Sequence, residues 1–426
     1  LSYVDDVYAV SNSAPLTQQA MDRTMRFSLL TQMDICTTVK SHCFSTTRQF
    51  EVQVRPWDEG TQSSVAVHPP TYLARRDSFD CLGAMLHART PGNTAPRIAQ
   101  RREQALQSLE RLQYIPQPAA AREFAAVLSP CSQLLYGSAV MEVPTAQKKT
   151  FRRKIADALC PGRTRRAAEA VLHILHKGHV LDPHVAPEYR RIACWARQVN
   201  NWAWAVNLSA EAWERRHNLR RGPMALFSNA VQQAGWTWES ATTLSFTDEA
   251  GMPMVYDAAN ATEAQKSLMC HTLRWALRSK PLRDLAARRP DFAGVEDGID
   301  GHATRSLLVD ENSRLTDYQR GILRSVISGA VATTGRTGMT QLCPYCNMQV
   351  PETTRHLFWE CPAWQTVRQQ HGAAAWNTSQ WPACLQLCGI APTSWTQEPA
   401  MQEGPAKKVD FVGKVQSFLV AVERAR

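Results

Sequence analysis

The pattern of hydrophobic and polar positions predicts a mixed start to the chain and a mainly helical remainder. Two short apolar runs, Tyr3-Val4 and Val7 to Val10, flank Asp5-Asp6, so we expect two short strands around a tight turn. From Pro15 to Leu30 the apolar residues fall at helical spacing, which predicts a helix that carries Met21, Met25 and Leu29 on one face. Together these patterns predict an α+β fold class.

Helical spacing continues from residue 97 to about residue 220. The first apolar stripe there consists of Ile98, Ala105, Leu106, Leu109 and Leu112. Four tryptophans farther along are expected to pack helices together, with base stacking as the alternative: Trp195, Trp202, Trp204 and Trp213. Helices are also predicted from Thr262 to Ala287 and from Arg314 to Ala330. A last amphipathic helix, expected to dock on the core, carries Phe411, Val415, Phe418, Leu419 and Val422.

Charge is distributed unevenly along the chain. The 426 residues carry a net charge of +10, and 44% of them are hydrophobic, an ordinary globular balance. Between Arg97 and Arg166 there are 13 Lys and Arg residues against five Asp and Glu residues. This excess indicates nucleic acid as a partner, with a solvated helix surface as the alternative. With neither a signal peptide nor an apolar run of transmembrane length, we expect an intracellular protein, in the nucleus or cytoplasm.

A cluster of cysteine and histidine residues predicts a metal site. Two cysteines separated by two residues are followed after nine residues by a histidine and after four more by a third cysteine: Cys343, Cys346, His356 and Cys361. This set can complete a tetrahedral Cys₃His site for structural Zn²⁺, with no position open for catalysis. The segment is short and polar, so we expect metal binding to supply its folding free energy. Tyr345 and Trp359 within it could stack on bases or pack into the core.

A second histidine-rich stretch is less regular. It contains His173, His176, His179 and His184, and a metal site there is the alternative to ordinary structural roles. Gly178 and Pro183 interrupt the helical pattern, so the sequence favours the structural roles.

The order of several short motifs resembles the reverse transcriptase family, specifically its LINE-type (non-LTR retrotransposon) branch. The catalytic palm turn of the family is matched by Tyr3-Val4-Asp5-Asp6, and a later palm segment by residues 35–45, which contain Lys40. Residues 79–86, with the pair Leu82-Gly83, are similar to the primer grip. The remaining matches are residues 134–137, late in the thumb, and residues 352–362, in the terminal cysteine–histidine motif.

The resemblance implies specific roles for residues in the first ninety positions. Asp5 would bind catalytic Mg²⁺, with Asp6 beside it as a second, weaker ligand, because nucleotidyl transfer uses two metal ions held by carboxylates. Lys40 would be a general acid near the pyrophosphate, or else a solvated loop lysine. Leu82 and Gly83 would place backbone against the primer end, where glycine allows close approach.

The resemblance also implies an organisation in five parts. These are a palm remnant, a basic helical thumb, a mixed connector, a zinc-binding unit and a C-terminal tail, at residues 1–90, 91–220, 221–335, 336–370 and 371–426. The implied partners are an RNA template, a DNA primer and their RNA–DNA duplex. The family has a further metal-binding Asp upstream of the palm turn, in a segment that this sequence does not contain. We therefore read the sequence as a C-terminal fragment that is inactive alone, with a non-catalytic, zinc-containing nucleic-acid-binding module as the alternative.

Overall fold

The computed structural model describes residues 2–3, 6–7, 13–31, 42–44, 51–76, 78–81, 84–87, 96–161, 165–220, 222–310, 313, 315–333, 342–394 and 404–426. The chain divides into two compact units, which meet in sequence between Ala95 and Pro96. The described residues are mainly helical with small sheets, so the predicted mixture of helices and strands is confirmed. No described helix combines the length and the apolar character that crossing a membrane requires.

The first unit contains one long helix and several short strands. The helix Ala14–Thr31 begins and ends within one residue of its predicted limits. Met21 on this helix packs, together with Leu73, against the buried Val52. The strands are Ser2–Tyr3, Asp6–Val7, His42–Phe44, Gln53–Val54, Trp57–Asp58, Ser63–Ser64, Thr71–Tyr72, Ala74–Arg76, Ser78–Cys81 and Ala84–His87.

Two of the strand pairs in this unit are tight antiparallel hairpins. In the first, Tyr3 lies opposite Asp6, so two residues connect the strands. The predicted pair of strands is present, but Asp6, which the apolar pattern predicts in the turn, is the first residue of the second strand. In the second, Cys81 lies opposite Ala84, and again two residues connect the strands. A third pair, between His42–Phe44 and Ala74–Arg76, is parallel.

The second unit is built from helices around one antiparallel sheet. The sheet has three strands in sequence order: Thr237–Trp238, Thr243–Thr247 and Pro253–Asp257. Three segments of its described part are π-helical: Val127–Cys131, Val171–Leu175 and His356–Glu360. The α-helices are Pro96–Leu112, Ala119–Ala126, Ser132–Leu134, Thr145–Leu159, Ala168–Ala170, Gly178–Leu181, Ala186–Asn201, Ala203–Glu214, Pro223–Gln233, Glu263–Arg288, Gly301–Val309, Asp317–Ile327, Gln365–Gln370, Ala383–Cys388 and Pro405–Ala425.

The predicted tryptophan core is present only in part. Trp195 is buried and stacks on Phe227 with ring centroids 4.7 Å apart, and Trp213 packs half-buried against the same cluster. Trp202 and Trp204 are more than half exposed, at 54% and 53%. Their predicted core role is therefore wrong: the chain is extended at Trp202, between two helices, and neither residue belongs to the cluster.

A large apolar cluster occupies the C-terminal part of the second unit. Four of the five residues predicted for the apolar face of the last helix are fully buried, which confirms the predicted docking: Val415, Phe418, Leu419 and Val422. The same cluster takes residues from the stretches 167–175, 282–331, 357–391 and 412–422. The parts predicted as thumb, connector, zinc unit and tail thus share one core.

Candidate metal centre

The four predicted zinc ligands converge in the structure. Among the described residues, they are the one group of Cys, His and acidic side chains that could hold a metal ion. The sulfur atoms of Cys343 and Cys361 are 3.8 Å apart, and the sulfur of Cys346 is 3.4 Å from Nε2 of His356. The sequence prediction of a Cys₃His cluster is thus confirmed at the level of geometry.

These distances fit zinc. Bonds of about 2.3 Å to sulfur and about 2.0 Å to nitrogen give tetrahedral edges of roughly 3.8 Å between two sulfurs and roughly 3.5 Å between sulfur and nitrogen. All four ligand atoms lie within 4.8 Å of one another. That limit is wider than the edge of a closed tetrahedron, so closing it requires side-chain movement of about 1 Å or less.

The first two cysteines lie on a short hairpin, residues 342–351, which we call the cysteine hairpin. Leu342 and Pro351 form an antiparallel bridge, and the backbone N–H of Cys343 donates to the carbonyl of Val350 at 2.8 Å. The chain turns tightly between Cys343 and Cys346. Two residues between the cysteines allow both thiols to face one point, as a Cys-x2-Cys metal turn requires.

The other two ligands are brought together by a π-helical turn. The backbone N–H of Cys361 donates to the carbonyl of His356 at 2.7 Å, and such a hydrogen bond between residues five apart defines a π-helical turn. In an α-helix, residues five apart point about 140° away from each other. A π-helical turn contains more residues per turn, so it brings the side chains of His356 and Cys361 to the same side. Thr353 begins the segment, because its hydroxyl accepts the N–H of His356 at 3.0 Å.

Zinc would compete with protons for the three cysteine sulfurs. Burial raises the pKa of Cys361 to about 12, and the neighbouring Cys343 and Cys346 also raise it. The pKa of Cys346 is lowered, chiefly by a hydrogen bond from the backbone of Met348. All three sulfurs must be thiolates to bind zinc, and a divalent cation offsets the repulsion between them.

A buried arginine supports the end of the π-helical turn. Arg368 is 6% exposed, and its guanidinium donates to the carbonyl of Cys361 at 2.7 Å and to that of Phe358 at 3.4 Å. It fixes the backbone at the last ligand and supplies positive charge next to a centre whose three thiolates would outweigh one Zn²⁺.

The π-helical turn is also held by burial. Leu357 and Phe358 are fully buried in the C-terminal cluster. Trp359 donates through Nε1 to the carbonyl of Gln386 at 3.0 Å, and its ring lies 4.9 Å from that of Phe418. The expectation that metal binding alone folds this segment is therefore wrong for its second half, and Trp359 packs into the core.

The cysteine hairpin is tied to the last helix of the chain. Arg426 forms an ion pair with the buried Glu352 at 3.2 Å, and its Nε donates to the hydroxyl of Tyr345 at 3.3 Å. The Tyr345 ring also lies 5.3 Å from that of Trp364. Tyr345 thus has protein partners on two sides.

Comparison of the chain with known proteins gives no match. The sequence and structure match no protein-family model, no curated protein and no solved structure. The resemblance to LINE-type reverse transcriptases therefore rests on sequence motifs alone.

The predicted polymerase residues fall mostly outside the described part of the chain. Asp5, Lys40, Leu82 and Gly83 lie outside the described residues. Asp6 is the first residue of the strand Asp6–Val7, and only its backbone is described.

The basic stretch from residue 97 to residue 166 is partly neutralised by acids. Its ion pairs join Lys148 to Glu188, Arg152 to Glu169 and Asp182, Lys154 to Glu110, and Arg166 to Asp157. The side chains that remain exposed to solvent include Arg111, Lys149, Arg153 and Arg165. The stretch therefore combines a structural ion network with an exposed basic surface.

The histidine-rich stretch has structural partners. His173 contacts Asp182 through Nε2 at 2.7 Å, and His176 contacts Glu123 through Nδ1 at 2.8 Å. Burial lowers the pKa of His179 to about 4. These histidines belong to no metal group among the described residues, in agreement with the structural interpretation of the sequence.

Two supporting residues of the metal centre were missed in the sequence. Thr353 stands three residues before His356, a helix-start signal that could have been recognised. Arg368 gave no such signal, because its contacts depend on how the following helix packs.

Proposed function

We propose that this chain is part of a LINE-type reverse transcriptase, in which the second unit binds nucleic acid and contains a structural zinc centre. The observation that carries the proposal is the convergence of Cys343, Cys346, His356 and Cys361. These ligands belong to the segment whose flanks, residues 352–362, resemble the terminal motif of LINE elements.

The zinc ion would be held by residues of this chain alone. Three thiolates and one imidazole fill a tetrahedron, so the ion would join the cysteine hairpin to the π-helical turn and leave no position for substrate. Arg368 would keep the backbone of Cys361 in place. Zinc would thus supply a cross-link rather than chemistry.

The polymerase part of the proposal is supported by the hairpin at the start of the chain. Tyr3 and Asp6 pair across it, with Val4 and Asp5 in the connection. A carboxylate in such a connection, followed by a second one at the start of the next strand, is suited to hold Mg²⁺ beside a primer terminus. The second hairpin, between Cys81 and Ala84, has Leu82-Gly83 as its connection, at the position of the primer-grip motif.

Nucleic-acid binding is supported by the exposed basic side chains of the residue 97–166 stretch. Such side chains neutralise phosphates without reading bases, so binding to an RNA–DNA duplex should weaken steeply as salt rises. The double variant Lys149→Gln/Arg153→Gln should lower the affinity and flatten the dependence on salt by about two charges. Lys280→Gln/Lys414→Gln removes two exposed charges elsewhere and is the matched control.

Fluorescence anisotropy with a labelled duplex at several salt concentrations measures both quantities. Affinity that does not change with salt would exclude this binding mode. An equal loss in the test and control variants would show that no particular surface is used.

The alternative function is a zinc-containing nucleic-acid-binding module without catalysis. It is favoured by the compactness of the second unit, which contains both the metal centre and the basic stretch. The two functions differ in the role of Asp5. In a polymerase palm, Mg²⁺ held there should raise the affinity for a recessed 3′ end, and Asp5→Ala should remove this gain. Mg²⁺-independent binding in both proteins would favour the alternative.

A further inference from the structure

A cavity in the second unit is lined by an excess of positive charge. It has a volume of about 320 Å³ and lies among the helix Glu263–Arg288, the helix Gly301–Val309 and the segment of residues 173–179. This is within the size range of small-ligand sites. Four of its lining side chains are cationic, namely Lys177, Arg274, Arg278 and Arg305, and Glu249 is the acidic one.

The acidic side chain offsets only part of this positive charge. Glu249 pairs with His271 at 3.1 Å, and the two side chains are 48% and 64% exposed. Arg274 and Arg305 donate through Nε to carbonyls of their own helices, those of Cys270 at 2.9 Å and Gly301 at 3.0 Å. These two backbone bonds orient the arginines without adding a negatively charged partner.

Arg278 stands out within the group. It forms no hydrogen bond or ion pair with any described residue, and its Nε is buried without a partner. Burial, and to a smaller extent the nearby Arg305, lower the pKa of Arg278 to about 10. A desolvated guanidinium beside a second one is unfavourable unless an anion accompanies it.

The shape of the cavity suits a ligand larger than a single anion. Arg274 and Arg278 are four residues apart, so they lie on one face of their helix, and Arg305 comes from another helix. Trp275 adds an aromatic surface to the wall. Gly298 also lines it, with a φ of +103°, a conformation that favours glycine, and any side chain there would press on Thr393.

We propose that this cavity binds a nucleoside phosphate. Arg278 and Arg305 hold the phosphate oxygens, and Trp275 lies against the base. Guanidinium forks match phosphate oxygens in pairs, and several of them together suit a doubly charged phosphate better than a single carboxylate. The nucleotide is either free in solution or the 5′-phosphorylated end of a strand. This inference is independent of the polymerase and zinc proposals.

Thermal unfolding and calorimetric titration of the purified chain test the proposal with inorganic phosphate, adenosine, AMP, and oligonucleotides with and without a 5′-phosphate. AMP should bind and raise Tm, while adenosine should not. Arg278→Gln should weaken AMP binding about 10- to 100-fold, the loss expected for a charge-assisted bond. It should not lower the Tm of the ligand-free protein, because Arg278 has no protein partner to lose.

Arg283→Gln is the matched control, since Arg283 is exposed on the same helix and does not line the cavity. It should bind AMP like the wild type. Preference for the 5′-phosphorylated oligonucleotide over AMP would identify a strand end as the ligand, and the reverse would identify a free nucleotide. Absence of AMP and 5′-phosphate binding, or equal losses in Arg278→Gln and Arg283→Gln, overturns the proposal. Arg305→Gln, which should show the same loss, provides a second variant if Arg278→Gln does not fold.

Discussion

Removing zinc should release one half of the metal centre and leave the other half docked. We predict that Cys346→Ser binds no zinc, because three ligands remain and the lost thiol belongs to the hairpin. The cysteine hairpin should then become mobile, while the π-helical turn His356–Glu360 should stay in place. If the metal is left aside, the two halves are held in place by different contacts.

The difference can be estimated from burial. Leu357 and Phe358 are fully buried, and each contributes about 1.5–3 kcal/mol, so roughly 3–6 kcal/mol keeps the turn docked without metal. In the cysteine hairpin, Leu342 and Met348 are more than half exposed, at 51% and 55%. Ordering its ten residues costs about 10–20 kcal/mol, a cost of the same size as the roughly 10–16 kcal/mol that structural zinc supplies.

Hydrogen exchange followed by mass spectrometry, together with zinc analysis, measures this directly. Peptides covering residues 342–351 should exchange fast in Cys346→Ser and in chelator-treated wild type, and peptides covering residues 354–361 should remain protected. Cys194→Ser changes a half-buried cysteine outside the cluster and should keep about one zinc per chain. Fast exchange across both segments would refute the reasoning from burial, and retention of zinc by Cys346→Ser would refute the ligand assignment.

Two further predictions concern the core of the second unit. Burial alone would raise the pKa of Asp182, but His173 and Arg152 lower it well below its usual range. The stability that this carboxylate provides is therefore fully present above its usual pKa of about 3.9 and lost as pH falls through the lower native value. Asp182→Asn should cost about 3–5 kcal/mol in urea unfolding at pH 7, because it removes the buried carboxylate that Arg152 and His173 share and leaves Arg152 only Glu169. The difference in the free energy of unfolding between Asp182→Asn and wild type should become smaller below about pH 4. A difference that does not change with pH would contradict this account. Gly178→Ala should destabilise the protein by about 1–3 kcal/mol, since the added Cβ would lie 2.2 Å from the His173 ring. Gly321→Ala, inside a helix and with open space around its Cβ, should instead stabilise it by up to about 1 kcal/mol in the same assay, and two changes of equal sign would count against the geometry.

The sequence predicted features that depend on neighbours along the chain. The helix that contains Met21 and the last helix both follow from spacing within one segment. The ligands Cys343 and Cys361 are only 18 positions apart, so the metal cluster could be found from their intervals. The sequence pattern was sufficient because helix formation and metal binding here depend on residues that are close together in the chain.

Features that depend on tertiary packing were not predictable in this way. Residue type alone predicts burial for Trp202 and Trp204 as it does for Trp195. Their exposure is decided by where one helix ends and the next begins. The cavity that contains Arg278 and Arg305 joins helices that pack only in the folded chain. No spacing in the sequence indicates that these two helices pack side by side.

The π-helical turn between His356 and Cys361 is equivalent to an α-helical turn with one additional residue. In an α-helix, residues four apart lie about 40° from each other around the axis. A histidine and a cysteine with three residues between them could therefore present the same two ligands from an ordinary helix. Deleting one residue from this interval should convert one form into the other without dispersing the ligands. Any search for related metal centres that fixes the interval from histidine to cysteine would overlook one of these two forms.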